Sequence, residues 1–138
     1  MNKLFVDTSG WASLFIPTEK YHSQAASVFS HTQISGDRLI TSNYVMAELI
    51  ALIGSRWRGS RTQLFRYIDS IKQAPYVEIC HIHVEIDNEA WRFCKARPDK
   101  AWSLVDCSSF ILMKQLNIQN ALTTDHHFQQ AGFIQLLK

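Results

Sequence analysis

The sequence lacks any apolar stretch long enough to cross a membrane. Its longest apolar run, residues 45–53, is interrupted by Glu48, whereas a membrane-spanning helix needs about 20 apolar residues in succession. The amino terminus reaches Asp7 before the apolar segment of a secretory signal could form. We therefore expect no membrane association and a cytoplasmic location.

Cysteine is scarce, and its spacing excludes a disulfide framework. The three residues, Cys80, Cys94 and Cys107, are odd in number and form no C-x-x-C pair. On a strand, Cys80 and His81 would point to opposite faces, so this neighbourhood offers no soft-metal site. We expect reduced and mostly buried thiols.

The chain also lacks a strong excess of either charge. It has 14 Lys and Arg against 12 Asp and Glu, a net charge of +2. If four of the acids gather in one site, 12 − 4 = 8 acidic residues remain against 14 basic ones. Such a surface would attract a polyanion towards an acidic cleft.

The alternation of predicted strands and helices indicates an α/β fold. With 138 residues, 46% of them apolar, the chain suits a single domain over 1–138. Strands alternating with helices imply a parallel sheet of about five strands between two helical layers. The predicted strands are 3–6, 38–41, 76–82, 121–124 and 133–137, and the predicted helices are 9–16, 20–33, 42–57, 59–72, 88–97 (or from 84), 103–117 and 126–131.

Four acids interrupt apolar surroundings. Asp7 and Asp125 follow predicted strands, at the edge where open α/β sheets bind ligands. Glu48 shares the apolar face of its predicted helix, so its carboxylate should point inward. Asp106 lies in the first turn of its helix, in line with Phe110.

Taken one at a time, three of these acids have a simple structural explanation. Asp7 could stabilise a turn, Ser103 and Asp106 fit a capping box, and Asp125 could cap the next helix. Glu48 is harder to explain, because burying an unpaired carboxylate is costly. As a group, the acids would repel one another unless a cation compensates, and an all-carboxylate site suits Mg²⁺ or Mn²⁺.

The sequence around the acids resembles the PIN-domain family. The segments FVDTS at Asp7, VMAEL at Glu48, WSLVDCSSF at Asp106 and LTTDHHF at Asp125 are similar to its four motifs, in the same order. The resemblance spans essentially the whole chain. It implies an α/β/α fold, RNA hydrolysis, and Mg²⁺ or Mn²⁺ held by these four residues. Thr8, Ser9 and Ser103 are then candidates for hydrogen bonds to the site.

Residues 99–110 and 131–133 resemble a bacterial, VapC-like branch of that family. This implies the toxin of a toxin–antitoxin pair, with RNA as substrate, an antitoxin as partner and a homodimer as the assembly. The 42–57 helix has apolar residues on more than one side, suited to packing against a second copy or a partner helix.

A housekeeping RNA-processing nuclease and a non-catalytic PIN-fold binding module remain alternatives. The sequence excludes a haloacid-dehalogenase-like phosphatase, which needs a second Asp where Ser9 stands, and a dinucleotide-binding domain, which needs a G-x-G-x-x-G motif.

Basic residues could contact the RNA. The densest basic stretch contains Arg56, Arg58 and Arg61 around Trp57, and Lys100 lies close to Asp106 in sequence. Phosphate contacts and base stacking would explain this stretch. A solvated helix end, where Arg suits the helix dipole, is the alternative explanation, and we favour it slightly. His126 and His127 follow Asp125 but are left outside the predicted catalytic set.

Overall fold

The computed structural model describes residues 2–56 and 59–138, with the side chains of 55 and 56 not described. Five strands and seven helices alternate along these residues, as the sequence predicts. The strands are β1 Lys3–Val6, β2 Arg38–Ser42, β3 Val77–Cys80, β4 Asn120–Leu122 and β5 Ile134–Gln135. The helices are α1 Thr8–Phe15, α2 His22–Ser35, α3 Asn43–Arg56, α4 Arg61–Gln73, α5 Val84–Ala96, α6 Leu104–Gln115 and α7 His126–Gln130.

All five strands are parallel and form one sheet in the order β3-β2-β1-β4-β5. β1 is central, and its residues Leu4, Phe5 and Val6 are buried, as expected for a strand covered on both faces. The predicted α/β/α fold with five parallel strands is confirmed. That the whole chain forms a single domain stays a prediction, and the shared sheet is consistent with it.

The sheet order places the carboxyl ends of β1 and β4 side by side. Phe5 pairs with Ala121 and Val6 with Leu122. Helix α1 starts directly after β1 and passes so close to β4 that a Cβ on Gly10 would lie 2.0 Å from the Leu122 carbonyl oxygen. Only glycine permits this approach, which brings the first turn of α1 against the end of β4.

β3 is shorter than predicted. The sequence predicts a strand over 76–82, whereas pairing with β2 ends at Cys80, opposite Ser42. β2 ends there because the chain enters α3, and the Ile82 amide donates to the side-chain oxygen of Asn43 at 2.7 Å instead. The Asn43 side chain therefore takes the place of the next backbone hydrogen bond between β2 and β3.

The earlier of the two predicted starts of α5, Val84, is confirmed. Other predicted boundaries were wrong by a few residues. β4 ends at Leu122 rather than at 124, because the Thr123 hydroxyl and the Thr124 amide form hydrogen bonds with the Ser9 hydroxyl instead. The predicted end of α3 at 57 lies outside the described residues. Among the described helices, none is long and apolar enough to span a membrane.

Candidate active site

Asp7 stands at the junction of β1 and α1, with both carboxylate oxygens occupied. Oδ1 accepts hydrogen bonds from the Gly10 amide at 2.9 Å and the Ser9 hydroxyl at 2.8 Å. Oδ2 accepts from the Thr123 hydroxyl at 2.8 Å. Asp7 is thus the N-cap of α1, the structural role that the sequence left open. It also lies at the carboxyl edge of the sheet, where ligands bind in folds of this class.

Burial changes the ionisation of Asp7. The residue is only 7% exposed, and this burial raises its pKa from 3.8 to about 7. The negative charge of Asp125 raises the pKa further, while the hydrogen bonds from Gly10, Thr123 and Ser9 lower it. An ionised Asp7 therefore needs a nearby positive charge to compensate for lost hydration.

Asp125 is held next to Asp7 through Thr123. The Thr123 hydroxyl that donates to Asp7 also accepts a hydrogen bond from the Asp125 amide at 2.9 Å. Asp125 Oδ1 accepts from the His127 amide at 2.9 Å and caps α7, as the structural explanation predicted. Capping uses one carboxylate oxygen of Asp125, so it does not prevent the carboxylate from also binding a metal ion.

Asp106 forms the predicted capping box with Ser103. The Asp106 amide donates to the Ser103 hydroxyl at 3.0 Å, and the Ser103 amide donates to Asp106 Oδ2 at 3.1 Å. Burial raises the pKa of Asp106; the charge of Asp125 raises it further, while the Ser103 amide and His127 lower it. Asp106 and Asp7 are thus both influenced by the charge of Asp125.

His127 lies between two of the acids, a position that the sequence reasoning missed. Its Nδ1 is 3.2 Å from Asp106 Oδ2 and 3.2 Å from Asp125 Oδ1. His126 is more exposed, with its Nδ1 3.8 Å from Asp125 Oδ1. The ligand atoms of Asp125, His126 and His127 all lie within 4.8 Å of one another. The available signal was the position of His127 two residues after a helix-capping acid.

Glu48 reaches this region through Thr8. The Thr8 hydroxyl donates to Glu48 Oε1 at 2.5 Å, which links α3 to the first residue of α1, next to Asp7. Val45 and Leu49 on the same helix are fully buried, whereas Glu48 is half-buried. Glu48 is therefore not an unpaired buried carboxylate, because it has a hydroxyl partner and access to solvent.

The structure says less about the four basic residues that the sequence proposes for RNA contact. The side chain of Arg56 and all of Arg58 lie outside the described residues. Arg61 is exposed at the start of α4, with its guanidinium over the Phe65 ring at 5.2 Å. Lys100 is half-buried in the loop between α5 and α6. Their contact with RNA stays a prediction.

No Lys or Arg in the described part of the chain forms an ion pair with Asp7, Glu48, Asp106 or Asp125; the ion pairs of these acids are with histidines. Arg97, in the segment before α6, is instead paired with Asp99 at 3.0 Å, and its guanidinium lies over the Trp102 ring at 5.3 Å. Carboxylates without a Lys or Arg partner offer hard oxygen atoms as ligands, the kind preferred by Mg²⁺ and Mn²⁺.

Residues 4–134 match the model of the PIN domain family. The chain belongs to the PIN-domain family. It is 29% identical over 133 residues to the 23S rRNA-specific endonuclease VapC20 of two Mycobacterium tuberculosis strains, H37Rv and CDC 1551. That match covers 96% of this chain and 97% of the relative.

A solved structure extends the similarity to the fold. The crystal structure of Mycobacterium tuberculosis VapC20, described as a sarcin-ricin loop cleaving toxin, superposes with a TM-score of 0.84 at 29% identity. It covers 95% of this chain and 96% of the solved one. The resemblance to VapC-like PIN ribonucleases that the four motifs predicted is therefore confirmed. The role of each site residue stays a prediction.

Proposed function

We propose that this PIN-domain protein is a divalent-metal-dependent endoribonuclease of the VapC type, with Asp7, Glu48, Asp106 and Asp125 as its catalytic residues. The observation that carries the proposal is the position of Asp125. The Thr123 hydroxyl connects Asp125 to Asp7, and His127 Nδ1 lies 3.2 Å from both Asp125 Oδ1 and Asp106 Oδ2. The charge of Asp125 accordingly raises the pKa of both Asp7 and Asp106. These carboxylates come from three separate parts of the chain and converge in one place without a Lys or Arg partner among the described residues.

The donor set fits a hard divalent cation. Asp7, Asp106 and Asp125 would hold Mg²⁺ or Mn²⁺, and Glu48 would bind directly or through water. The raised pKa of Asp7 is the supporting observation, because a buried carboxyl near another acid binds a cation in place of a proton. The chemistry supplied by such an ion is neutralisation of phosphate charge and activation of water for hydrolysis.

The hydroxyl groups of the chain orient these acids. Ser9 and Thr123 hold the two oxygens of Asp7, and Ser103 fixes the first turn that carries Asp106. Such partners restrict the rotation of a ligand carboxylate and so reduce the entropy lost when the site is occupied. Thr8 does the same for Glu48. The predicted site hydrogen bonds therefore have defined acceptors, and we propose that they position the catalytic groups.

The proposed substrate is structured RNA. VapC20 is named for cleavage of 23S rRNA and, in its structure, of the sarcin-ricin loop. With 29% identity over 96% of this chain, a ribosomal RNA stem-loop is the substrate class to test first. Lys100, in the loop before α6, and Arg61 are the described basic residues proposed to contact its phosphates.

The proposed biological role is that of a toxin controlled by an antitoxin, in the cytoplasm and as a homodimer. The α3 surface offers less apolar area than the sequence suggested. The Tyr44 hydroxyl donates to Asp87 on α5 at 2.6 Å, and Met46 is buried. Ile50 is 41% exposed and lines a cavity of about 460 Å³ with Ile79 and His81. We propose this region of α3 for contact with the second copy.

A cleavage assay tests the proposed activity. The purified full chain should cut a ribosomal stem-loop RNA with Mg²⁺ or Mn²⁺, and EDTA should stop the reaction. Asp7→Asn and Asp106→Asn should abolish cleavage. Asp69→Asn is a matched control, because Asp69 is exposed on α4, and it should cut like the wild type. Equal cleavage by Asp7→Asn would overturn the site assignment. Absence of cleavage under all metal conditions would favour a binding module.

A further inference from the structure

Two cysteine side chains on neighbouring helices are in direct contact. The Cys94 Sγ of α5 lies 2.9 Å from the Cys107 Sγ of α6, within hydrogen-bond distance for two thiols. Both residues are free cysteines. A disulfide bond requires a sulfur–sulfur distance of about 2.05 Å, so the two sulfur atoms need to approach by less than about 1 Å. No other atom fits between two sulfurs at this separation. Each cysteine lies on the side of its helix that faces the other helix.

The two thiols differ in accessibility. Cys94 is half-buried, and Cys107 is fully buried within the core of α6. An oxidant from solvent therefore reaches Cys94 first, while Cys107 is protected until its neighbour has reacted. A partly accessible thiol in contact with a buried one is the arrangement of a reacting cysteine and its resolving partner.

The pair also touches the turn that carries Asp106. The Cys94 thiol donates to the Ser103 carbonyl at 3.5 Å, and the Cys107 amide donates to the same carbonyl at 3.0 Å. Ser103 forms the capping box with Asp106. A bond between the two sulfurs would link α5 covalently to the first turn of α6, beside the acidic cluster.

We propose that Cys94 and Cys107 are a redox modification site that forms a reversible intramolecular disulfide. With a peroxide as oxidant, the Cys94 sulfur attacks the O–O bond, takes one oxygen as sulfenic acid and releases water. The Cys107 sulfur then attacks the Cys94 sulfur, its proton leaves with the hydroxide as a second water, and the S–S bond forms. Two thiols lose two electrons and two protons, and the peroxide becomes two waters. A dithiol reductant reverses the reaction by thiol–disulfide exchange.

Cys80 serves as the internal control. It lies on β3, the strand at one edge of the sheet. No contact between its sulfur and another cysteine is present among the described residues. Oxidation of the pair should therefore leave Cys80 as the one free thiol of the three in the sequence.

The test is thiol counting on the folded full chain after limited exposure to hydrogen peroxide. We expect two of three thiols to disappear, the monomer mass to fall by two hydrogens, and a digest to contain one peptide pair joined through Cys94 and Cys107. Dithiothreitol should restore all thiols. Cys80→Ser should form the same link. Cys94→Ser should not, and because Cys94 is half-buried this variant should fold.

Three results would overturn the proposal. One is retention of all thiols in the folded protein under conditions that oxidise the same chain in denaturant. Another is cross-linked dimers as the main product. The last is equal thiol loss in Cys94→Ser and wild type. None of these readouts depends on ribonuclease activity, so the disulfide and the proposed function are tested separately.

Discussion

Thr123 joins two acids that are 118 positions apart, Asp7 and Asp125, through a single hydroxyl group. The hydroxyl donates to Asp7 Oδ2 at 2.8 Å and accepts from the Asp125 amide at 2.9 Å. It is fully buried, so neither partner can be replaced by solvent. The hydroxyl therefore aligns the end of β1 with the end of β4, and with them two of the proposed metal ligands.

Replacing Thr123 by Val should lower both stability and activity. The substitution removes the hydroxyl and leaves the buried Asp7 Oδ2 and the part-buried Asp125 amide without this partner, which costs about 1–3 kcal/mol. In a domain of this size that corresponds to a melting temperature lower by roughly 3–12 °C. Thr123→Ser keeps the hydroxyl and is the control for differential scanning calorimetry and cleavage. If Val and Ser variants behave alike, the hydrogen bonds at Thr123 do not position the acids.

Neutralising Asp7 should stabilise the metal-free protein or leave its stability unchanged. Burial raises the pKa of Asp7 to about 7, so an ionised Asp7 is unfavourable in the folded state at pH 8. Asp7→Asn removes this cost while its amide oxygen can still accept from Gly10. Asp106→Asn should behave in the same way, unless its capping box with Ser103 dominates. A large fall in the melting temperature of Asp106→Asn would show that capping is the larger contribution.

The metal-free protein should lose stability as the pH rises from about 4 to 7. The pKa of Asp7 is about 7 in the folded state against 3.8 when unperturbed, so the folded state retains a proton that the unfolded chain releases in this interval. The difference corresponds to at most about 4 kcal/mol, and the raised pKa of Asp106 acts in the same direction. Urea titrations in EDTA at several pH values measure the slope.

Two comparisons make this pH dependence specific. Asp7→Asn should flatten the slope, because the titrating group is gone. Saturating Mn²⁺ should also remove it, since binding favours the ionised carboxylates. A metal-free wild type that gains stability from pH 4 to 7 would contradict the assignment.

His127→Ala should move the acidic limb of the cleavage rate profile to higher pH. The imidazole lowers the pKa of Asp106 through its charge and hydrogen bond, so Asp106 without it takes up protons at higher pH. The profile is best measured at low Mn²⁺ concentration, where protons compete with the ion. His126→Ala is the control, because His126 is exposed and its imidazole pairs with Asp125 and not with Asp106. Equal shifts in the two variants would exclude a particular role for His127.

Expression of the protein alone in a bacterium should slow growth. Cleavage of ribosomal RNA, the proposed activity, would stop translation, whereas the Asp7→Asn variant should be harmless at the same protein level. Co-expression of a small gene adjacent to this one should restore growth if it encodes the antitoxin. Normal growth with active wild-type protein and no partner would favour a housekeeping nuclease.

Local sequence was sufficient for those parts of the site that depend on hydrogen bonds within a few residues. The capping box of Ser103 and Asp106 spans three residues, and Asp125 caps α7 through the amide two residues later. These short-range hydrogen bonds define where a helix begins, so the capping residues in the sequence predict the start of the helix directly. The four acid-centred motifs likewise identified the family and the fold.

Tertiary structure decided which side chains meet. Thr8 and Glu48 are 40 positions apart, and Asp7 and Thr123 are 116 apart. Their contacts exist because β1 pairs with β4 and α1 packs close to both, where only Gly10 allows the approach. Likewise, Cys94 meets Cys107 because α5 and α6 lie against each other. Strand order and helix packing come from burial of the whole apolar core, a collective property that no short segment contains.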